Sequence, residues 1–343
     1  MFRPVRRAAV LRPLQHARRR MLAIAALTAA LAACDDATSP VAPAPDEVDA
    51  PAAEAATNEL VAAANVLTLA NSRIAFVLRD ANEQADIWSM SGQGTSLAHL
   101  TNFSPADETA PAWSYDHKRL ALVRPRLDAN NAVHDDIYLM NADGTNKHWA
   151  RSLPYSSSLR EPSWSPDGTR LVLTIGLQGG SWLATLDLAT GNLSLVASEG
   201  FFAVQGFHPS YDPTGKSIVF VEATRKGIKQ FYPGGDSYGL VQSDREVDYP
   251  AFSPDGKKLA YSRYISDTNR EIFVRTLATY TNKRLTFSAG EDQGPTWSPD
   301  GTRIAFTSHR SGKYQIWTMN SGTGGGLTRI TNVTWAGGAA WAH

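Results

Sequence analysis

Hydrophobic and polar positions alternate along most of this chain in short runs, separated by clusters of Gly, Pro, Asp and Ser. In RIAF, residues 303–306, Ile304 and Phe306 share one face and the smaller Ala305 takes the other. Apolar residues on both faces predict a strand packed between neighbours, not one lying on water. The tetrapeptide before it, Ser298-Pro299-Asp300-Gly301, predicts a type I β-turn, with Pro presetting φ at the second position and Gly closing the fourth. A hairpin tip is therefore expected there. The stretch PTWSPDGTRIAFT from residue 295 has two near copies upstream, PSWSPDGTRLVLT from 162 and PAFSPDGKKLAYS from 250.

Two degenerate copies extend the series. PSYDPTGKSIVF from 209 places Tyr211 in the Trp slot, and PAWSYDHKRLAL from 111 keeps the frame without the turn Pro and Gly. The aromatic anchors Trp113, Trp164, Tyr211, Phe252 and Trp297 are then 51, 47, 41 and 45 residues apart. A period in the forties built of short strands is the signature of propeller blades. The pattern opens at Ser72-Arg-Ile-Ala-Phe76 without a preceding Pro-x-Trp strand and closes at Ala339-Ala-Trp341 without a following hairpin. Pairing those two ends completes one composite blade and removes the exposed edges of an open array. An all-β, six-bladed β-propeller of four-stranded antiparallel blades is the expectation. Second strands open at Arg73, Arg119, Arg170, Ser217, Lys258 and Arg303; third strands at Asp86-Ile-Trp, Asp136-Ile-Tyr, Glu271-Ile-Phe and Gln315-Ile-Trp; fourth strands at HLTN from 99, RLTF from 284 and RITN from 329.

The W-S-P-D-G, I-A-F, D-I-Y and L-T elements resemble the repeat of TolB-type, WD40-like six-bladed propellers. The resemblance covers roughly residues 66–343 and is specific for fold. It says little about function, and an enzyme is not the expectation. No separate N-terminal α/β domain is expected before the propeller, so a role inside the Tol-Pal envelope system does not carry over.

The first 34 residues read as an export address. Seven Arg and no acid precede Met21, and a 13-residue apolar run leads to Leu31-Ala-Ala-Cys34. The run is too short to span a bilayer as a helix, and its end resembles a bacterial lipoprotein signal, which implies that Cys34 is acylated and begins the mature chain. Cys34 is the only cysteine, so no intrachain disulfide and no multi-Cys metal site can form. More than one acyl chain would anchor stably, where one alone is marginal. Export by the general or the twin-arginine route stays open. The chain is thus parsed as a signal peptide at 1–33, a tether at 34–65 and a propeller at 66–343. The tether is rich in Ala, Pro and acid and too poor in large apolar residues to offset its ordering entropy. About twenty such residues reach on the order of 25 Å as a coil.

Removing the signal takes seven Arg and no acid, leaving 26 Lys plus Arg against 33 Asp plus Glu, a net charge of −7. Residues 35–72 hold seven of those acids and no base, so the propeller itself has 26 of each sign and is neutral. A neutral propeller without a basic stripe argues against nucleic acid, whose phosphates demand neutralisation.

Candidate chemistry is sparse. Gly235-Asp-Ser237-Tyr-Gly239 satisfies G-x-S-x-G, but a nucleophile elbow needs a strand-to-helix turn with Asp and His downstream, and here an inter-strand loop is expected. The propeller histidines show no H-x-x-H spacing, and Asn141-Ala-Asp-Gly-Thr145 lacks the bidentate Glu of a calcium loop, so a hairpin turn is expected. No cofactor and no metal are expected, and no catalytic residue is assigned. The repeat Trp and Tyr are expected to pack between blades.

Function is sought where the repeats differ. Loops joining the outer strand of one blade to the inner strand of the next converge on one face around the central funnel. They supply Asp107, Glu108, Arg160, Glu161, Phe201, Phe202, Gln205, His208, Arg245, Asp248, Tyr249, Glu291, Asp292 and Trp335 as the candidate binding face. The acids of the D/E-x-x-P frame, Glu108 and Asp292, are expected to bond backbone N–H groups at their own blade junctions. Phe201, Phe202, Tyr249 and Trp335 are not demanded by the repeat. The expectation is a monomeric, exported and lipid-anchored protein, periplasmic or surface-facing, that touches membrane only through its lipid and binds an envelope protein or peptide through the funnel. The alternative is binding or processing of an extracellular carbohydrate or small ligand, in the manner of a metal-dependent lyase.

Overall fold

The computed structural model describes residues 71–102, 107–127, 133–151, 158–177, 179–197, 203–233, 235 and 237–342. All lie in the second of the chain's two compact units, 53–343. Cys34, the tether, Phe201 and Phe202 fall outside the described residues.

In chain order, β1 (Arg73–Arg79), β2 (Ala85–Ser91) and β3 (Ala98–His99) begin blade 1. Blade 2 is β4 (Thr109–Trp113), β5 (Arg119–Leu127), β6 (Val133–Asn141) and β7 (His148–Arg151). Blade 3 is β8 (Ser158–Trp164), β9 (Arg170–Leu177), β10 (Gly180–Asp187) and β11 (Leu193–Leu195). Blade 4 is β12 (Gly206–Tyr211), β13 (Ile218–Glu222), β14 (Gly227–Phe231) and β15 (Ser237–Gln242). Blade 5 is β16 (Val247–Phe252), β17 (Lys258–Tyr264), β18 (Arg270–Thr276) and β19 (Thr281–Arg284). Blade 6 is β20 (Asp292–Trp297), β21 (Arg303–Ser308), β22 (Gln315–Asn320) and β23 (Thr328–Arg329), and β24 (Trp335–Trp341) returns to blade 1. Each sheet has four antiparallel strands, and the order β24-β1-β2-β3 confirms the composite blade. The propeller has six blades.

The turn chemistry is as the sequence demands. Ser298 Oγ donates to Asp300 Oδ1 at 2.6 Å and accepts the Arg303 N–H at 2.9 Å; Ser114, Ser165 and Ser253 repeat the arrangement. The L-T element has an equally specific task. Thr101, Thr286 and Thr331 each turn a hydroxyl oxygen inward to accept the N–H of Ile87, Ile272 and Ile316, at 2.8 to 2.9 Å, adding one buried side-chain bond to the backbone bonds between the third strand and its outer neighbour.

Blades pack face to face through the recurring aromatics. Trp164 and Trp297 are buried, and their Nε1 groups donate across the junction to the carbonyls of Ala112 and Ala251 in the preceding inner strand, both at 3.0 Å. Ala75, Ala121, Ala260 and Ala305 sit fully buried at the same position of four second strands, where β9 and β13 carry Val172 and Val219. Ser237, the serine of the G-x-S-x-G match, opens β15 in the outer hairpin of blade 4, away from any strand-to-helix turn.

Candidate functional site

The six inner strands β24, β4, β8, β12, β16 and β20 each carry the same distortion: a register shift at Thr109/Ala112, Arg160/Ser163, Phe207/Ser210, Asp248/Ala251, Gln293/Thr296 and, in the composite blade, at Ala75/Val77 opposite β24. Two residues of the inner strand oppose one of the second strand, which is a β-bulge. One residue of each bulge has positive φ. In ring order these are Ala110 (50°), Glu161 (56°), His208 (49°), Tyr249 (55°), Gly294 (64°) and Gly338 (61°). All six line one central cavity of about 570 Å³.

The left-handed region costs a residue with a side chain on the order of 1–2 kcal/mol. Blades 6 and 1 meet it with Gly, and blade 2 with Ala. Blades 3, 4 and 5, which are adjacent, instead place a carboxylate, an imidazole and a phenol there. The channel therefore has a small-residue wall and a polar wall.

The polar wall is built from several blades. Glu161 Oε2 accepts the backbone N–H of His208 at 2.6 Å and the Thr174 hydroxyl at 2.7 Å, while Oε1 lies 3.2 Å from His208 Nδ1. The other ring nitrogen, Nε2, lies 3.6 Å from Asp248 Oδ1. Asp248, 3% exposed, is held by Arg225 at 2.6 Å and by Arg270 at 3.8 Å. Arg270 also donates to Gln293 Oε1 at 2.7 Å and to the Tyr264 hydroxyl. The His208 and Tyr249 rings are 4.2 Å apart, centroid to centroid. Burial pushes the imidazole below its ordinary value, against the pull of Glu161 and Asp248. It pushes Asp248 up against His208 and the two arginines, and raises Tyr249, helped by Asp248.

The structure sorts the sequence candidates. Arg160, Glu161, His208, Tyr249 and Trp335 line the cavity, and Asp248 stands directly behind His208. Asp107 does not line it; one oxygen pairs with Arg79 at 3.1 Å and the other accepts the Ala85 N–H at 3.0 Å. Arg245 is tied to Asp267 at 2.9 Å, Glu291 accepts the Tyr314 hydroxyl at 2.8 Å, and exposed Gln205 bridges to Trp182. Glu108 and Asp292 are fully buried but do not bond backbone amides as expected. Glu108 meets the Thr101 hydroxyl at 3.3 Å and Arg124 at 3.6 Å, and Asp292 meets Arg310 at 2.7 Å. Junction amides are taken instead by Asp107 and Glu161.

The ring as a set was not anticipated from sequence, nor were Arg79, Arg225 and Arg270. A signal for the ring exists: each member directly precedes the Pro, or in blade 1 the Ala, of the P-x-W/Y/F frame. Among the described residues, no group of three or more His, Cys, Asp or Glu is placed to hold a metal ion.

Residues 242–341, which span the last two blades and β24, match the TolB beta propeller domain. The chain is therefore similar to TolB-like propellers, in sequence over that stretch and in fold over most of the propeller. An uncharacterised protein of Agrobacterium fabrum is 30% identical over 175 residues, covering 50% of this chain and 57% of that protein. The Tol-Pal system protein TolB of Alcanivorax borkumensis is 34% identical over 73 residues, covering 21% of this chain and 17% of its own length. The chain thus spans less than two thirds of either relative. The crystal structure of TolB from Acinetobacter baumannii superposes with a TM-score of 0.69 at 21% identity, over 80% of this chain and 67% of that one, a likeness of fold.

Proposed function

We propose that this chain is an exported envelope protein, lipid-anchored through Cys34 and held off the membrane by its Ala/Pro/acidic tether, whose propeller binds a protein or peptide partner in the central channel. The observation that carries the channel as the site is the strained ring, where three adjacent blades accept a backbone cost to place Glu161, His208 and Tyr249 at the channel, whereas two sisters avoid it with Gly and the third bears it with a bare Ala110. The kinship to TolB-like propellers, one of them a Tol-Pal system protein, supports an envelope setting. Catalysis has no assigned residue in this reading. The alternative of a metal-dependent carbohydrate lyase gains no support from the described residues, which gather no metal-binding set.

The test places a photo-crosslinking amino acid at Tyr249 in the exported protein. Irradiation of cells is expected to give a discrete protein adduct, with a matching substitution at exposed Tyr280 on the outer edge of blade 5 giving none. The absence of a Tyr249-specific adduct would overturn the reading. For the anchor, Cys34→Ser is expected to move the protein from the membrane fraction to the soluble one; unchanged fractionation would show that the attachment lies elsewhere.

A further inference from the structure

Charge balance around the channel singles out one group. Two arginines line it, and each has its own acid: Arg79 with Asp107 at 3.1 Å, Arg160 with Asp135 at 2.9 Å. Asp248, behind the wall, has Arg225 and Arg270. Glu161 is the remaining lining carboxylate, and its direct partners are the Thr174 hydroxyl, the His208 amide and the His208 ring. Burial disfavours the charged form of that ring, so none of the three partners is a fixed cation. Among the described residues no Lys or Arg pairs with Glu161. Its side chain is 23% exposed, so it remains open to the channel.

The surroundings suit a cation on a slender stem. The Tyr249 ring stands on the same wall as Glu161; on the opposite side Gly294 leaves open space, where an added Cβ would meet nothing within 4 Å, and the half-buried ring of Trp335 lies against Gly337. A cation near aromatic faces and a carboxylate in a partly dry site is bound by both. Asp248, Arg225 and Arg270 act as positioning residues: they fix His208 from behind, and His208 fixes Glu161.

We propose that the channel seats one basic side chain, a lysine or arginine of an extended polypeptide segment, against Glu161 and between Tyr249 and Trp335. This rests on the reading of the channel as a polypeptide site and names what that site selects. A free ammonium at a chain terminus shares the chemistry, and an internal library position distinguishes the two.

The experiment selects a displayed random heptapeptide library, flanked on both sides by fixed residues, on the wild-type chain with counter-selection on Glu161→Gln. The expected result is enrichment of Lys or Arg at one internal position, in peptides that bind Glu161→Gln about 10- to 100-fold more weakly, the size of a lost charge-assisted hydrogen bond. Glu161→Gln keeps an oxygen for the His208 amide and the Thr174 hydroxyl, and an unchanged melting temperature confirms its fold; Tyr249→Phe and Trp335→Leu are expected to weaken the same peptides. Enrichment of acidic residues, no charge bias, or no enrichment at all would overturn the proposal. The two readings fail separately: a Tyr249 photo-adduct that persists in Glu161→Gln leaves a protein-binding channel without this selectivity, whereas loss of both library binders and adduct removes the channel as a polypeptide site.

Discussion

Glu108 has no accessible surface, and its neighbours pull in opposite directions. Burial and the adjacent Asp86 push its carboxyl up to about 8 from 4.5, while Arg124 and the Thr101 hydroxyl pull it down. The native state thus keeps a proton that the unfolded chain releases above about 4.5. Such a group contributes fully below its unfolded value, and the contribution is lost as pH rises through the folded one. Stability is expected to fall between pH 6.5 and 8, by at most about 1.4 kcal/mol per unit for one group. His208, whose folded value is lowered, acts mainly at lower pH and with the opposite sign, and Asp292 is raised only to about 6; Asp248 is raised as well, so substitution of Glu108 assigns the slope. Urea melts at pH 6.5, 7.25 and 8 test this. Glu108→Gln, which keeps the shape and cannot ionise, is expected to flatten the decline; a variant that declines as steeply as wild type would assign the slope to another group.

At the scale of the element, the inner-strand bulge sets where side chains point, and its cost can be measured inside one molecule. Ala110 and Gly294 occupy equivalent positive-φ positions, and a Cβ added at Gly294 would meet nothing within 4 Å. Gly294→Ala is therefore expected to cost about 1 kcal/mol through the backbone alone. Ala110→Gly is expected to be neutral or slightly stabilising, where the same exchange in a regular strand would cost about 0.5–1 kcal/mol. Denaturant melts decide; a loss of 1 kcal/mol or more in Ala110→Gly would show that the bulge carries no strain. The same element explains what was legible beforehand. Hairpin tips and strand alternation are local properties of Ser-Pro-Asp-Gly and R-I-A-F, so the blades could be read directly. The left-handed turn at Glu161, His208 and Tyr249 is not written in those residue types; it comes from two residues opposing one in the neighbouring strand. Arg225, in the β13–β14 turn, and Arg270, at the start of β18, reach the site from the middle hairpins of blades 4 and 5, a juxtaposition that only the packed sheets create. The acids were recognised as candidates, but their partners were not, because Glu108 and Asp292 look alike in sequence to an acid that bonds an amide.

For the whole molecule, the decisive feature is that the ring is closed by strands from opposite ends of the repeat region. Ile74 pairs with Trp341, Ala75 with Ala340, and Ala342 N–H donates to Arg73 O at 2.8 Å. Trp341 is 1% exposed; its Nε1 donates to Ser72 Oγ at 2.9 Å and its backbone N–H to Thr296 Oγ1 at 3.1 Å, so one residue ties blade 1 to blade 6. Trp341→Ala is expected to cost about 3–5 kcal/mol, the range for a buried large side chain, and so to match Trp164→Ala within one uninterrupted blade. Closure also makes a topological prediction. Because Ala342 and Arg73 are already hydrogen-bonded neighbours, a permuted chain that places 335–342 ahead of 71–334 through a short turn keeps every strand pairing and merely makes the composite blade continuous. It is expected to melt within a few degrees of the parent. The same 71–334 segment without β24 leaves the β1 edge unpaired and the flanks of blades 6 and 2 uncovered, which favours edge-to-edge association, and it is expected to aggregate or to melt far lower. If that open segment were as stable as the permuted one, ring closure would contribute nothing, and stability would reside in the individual blades and their nearest-neighbour contacts.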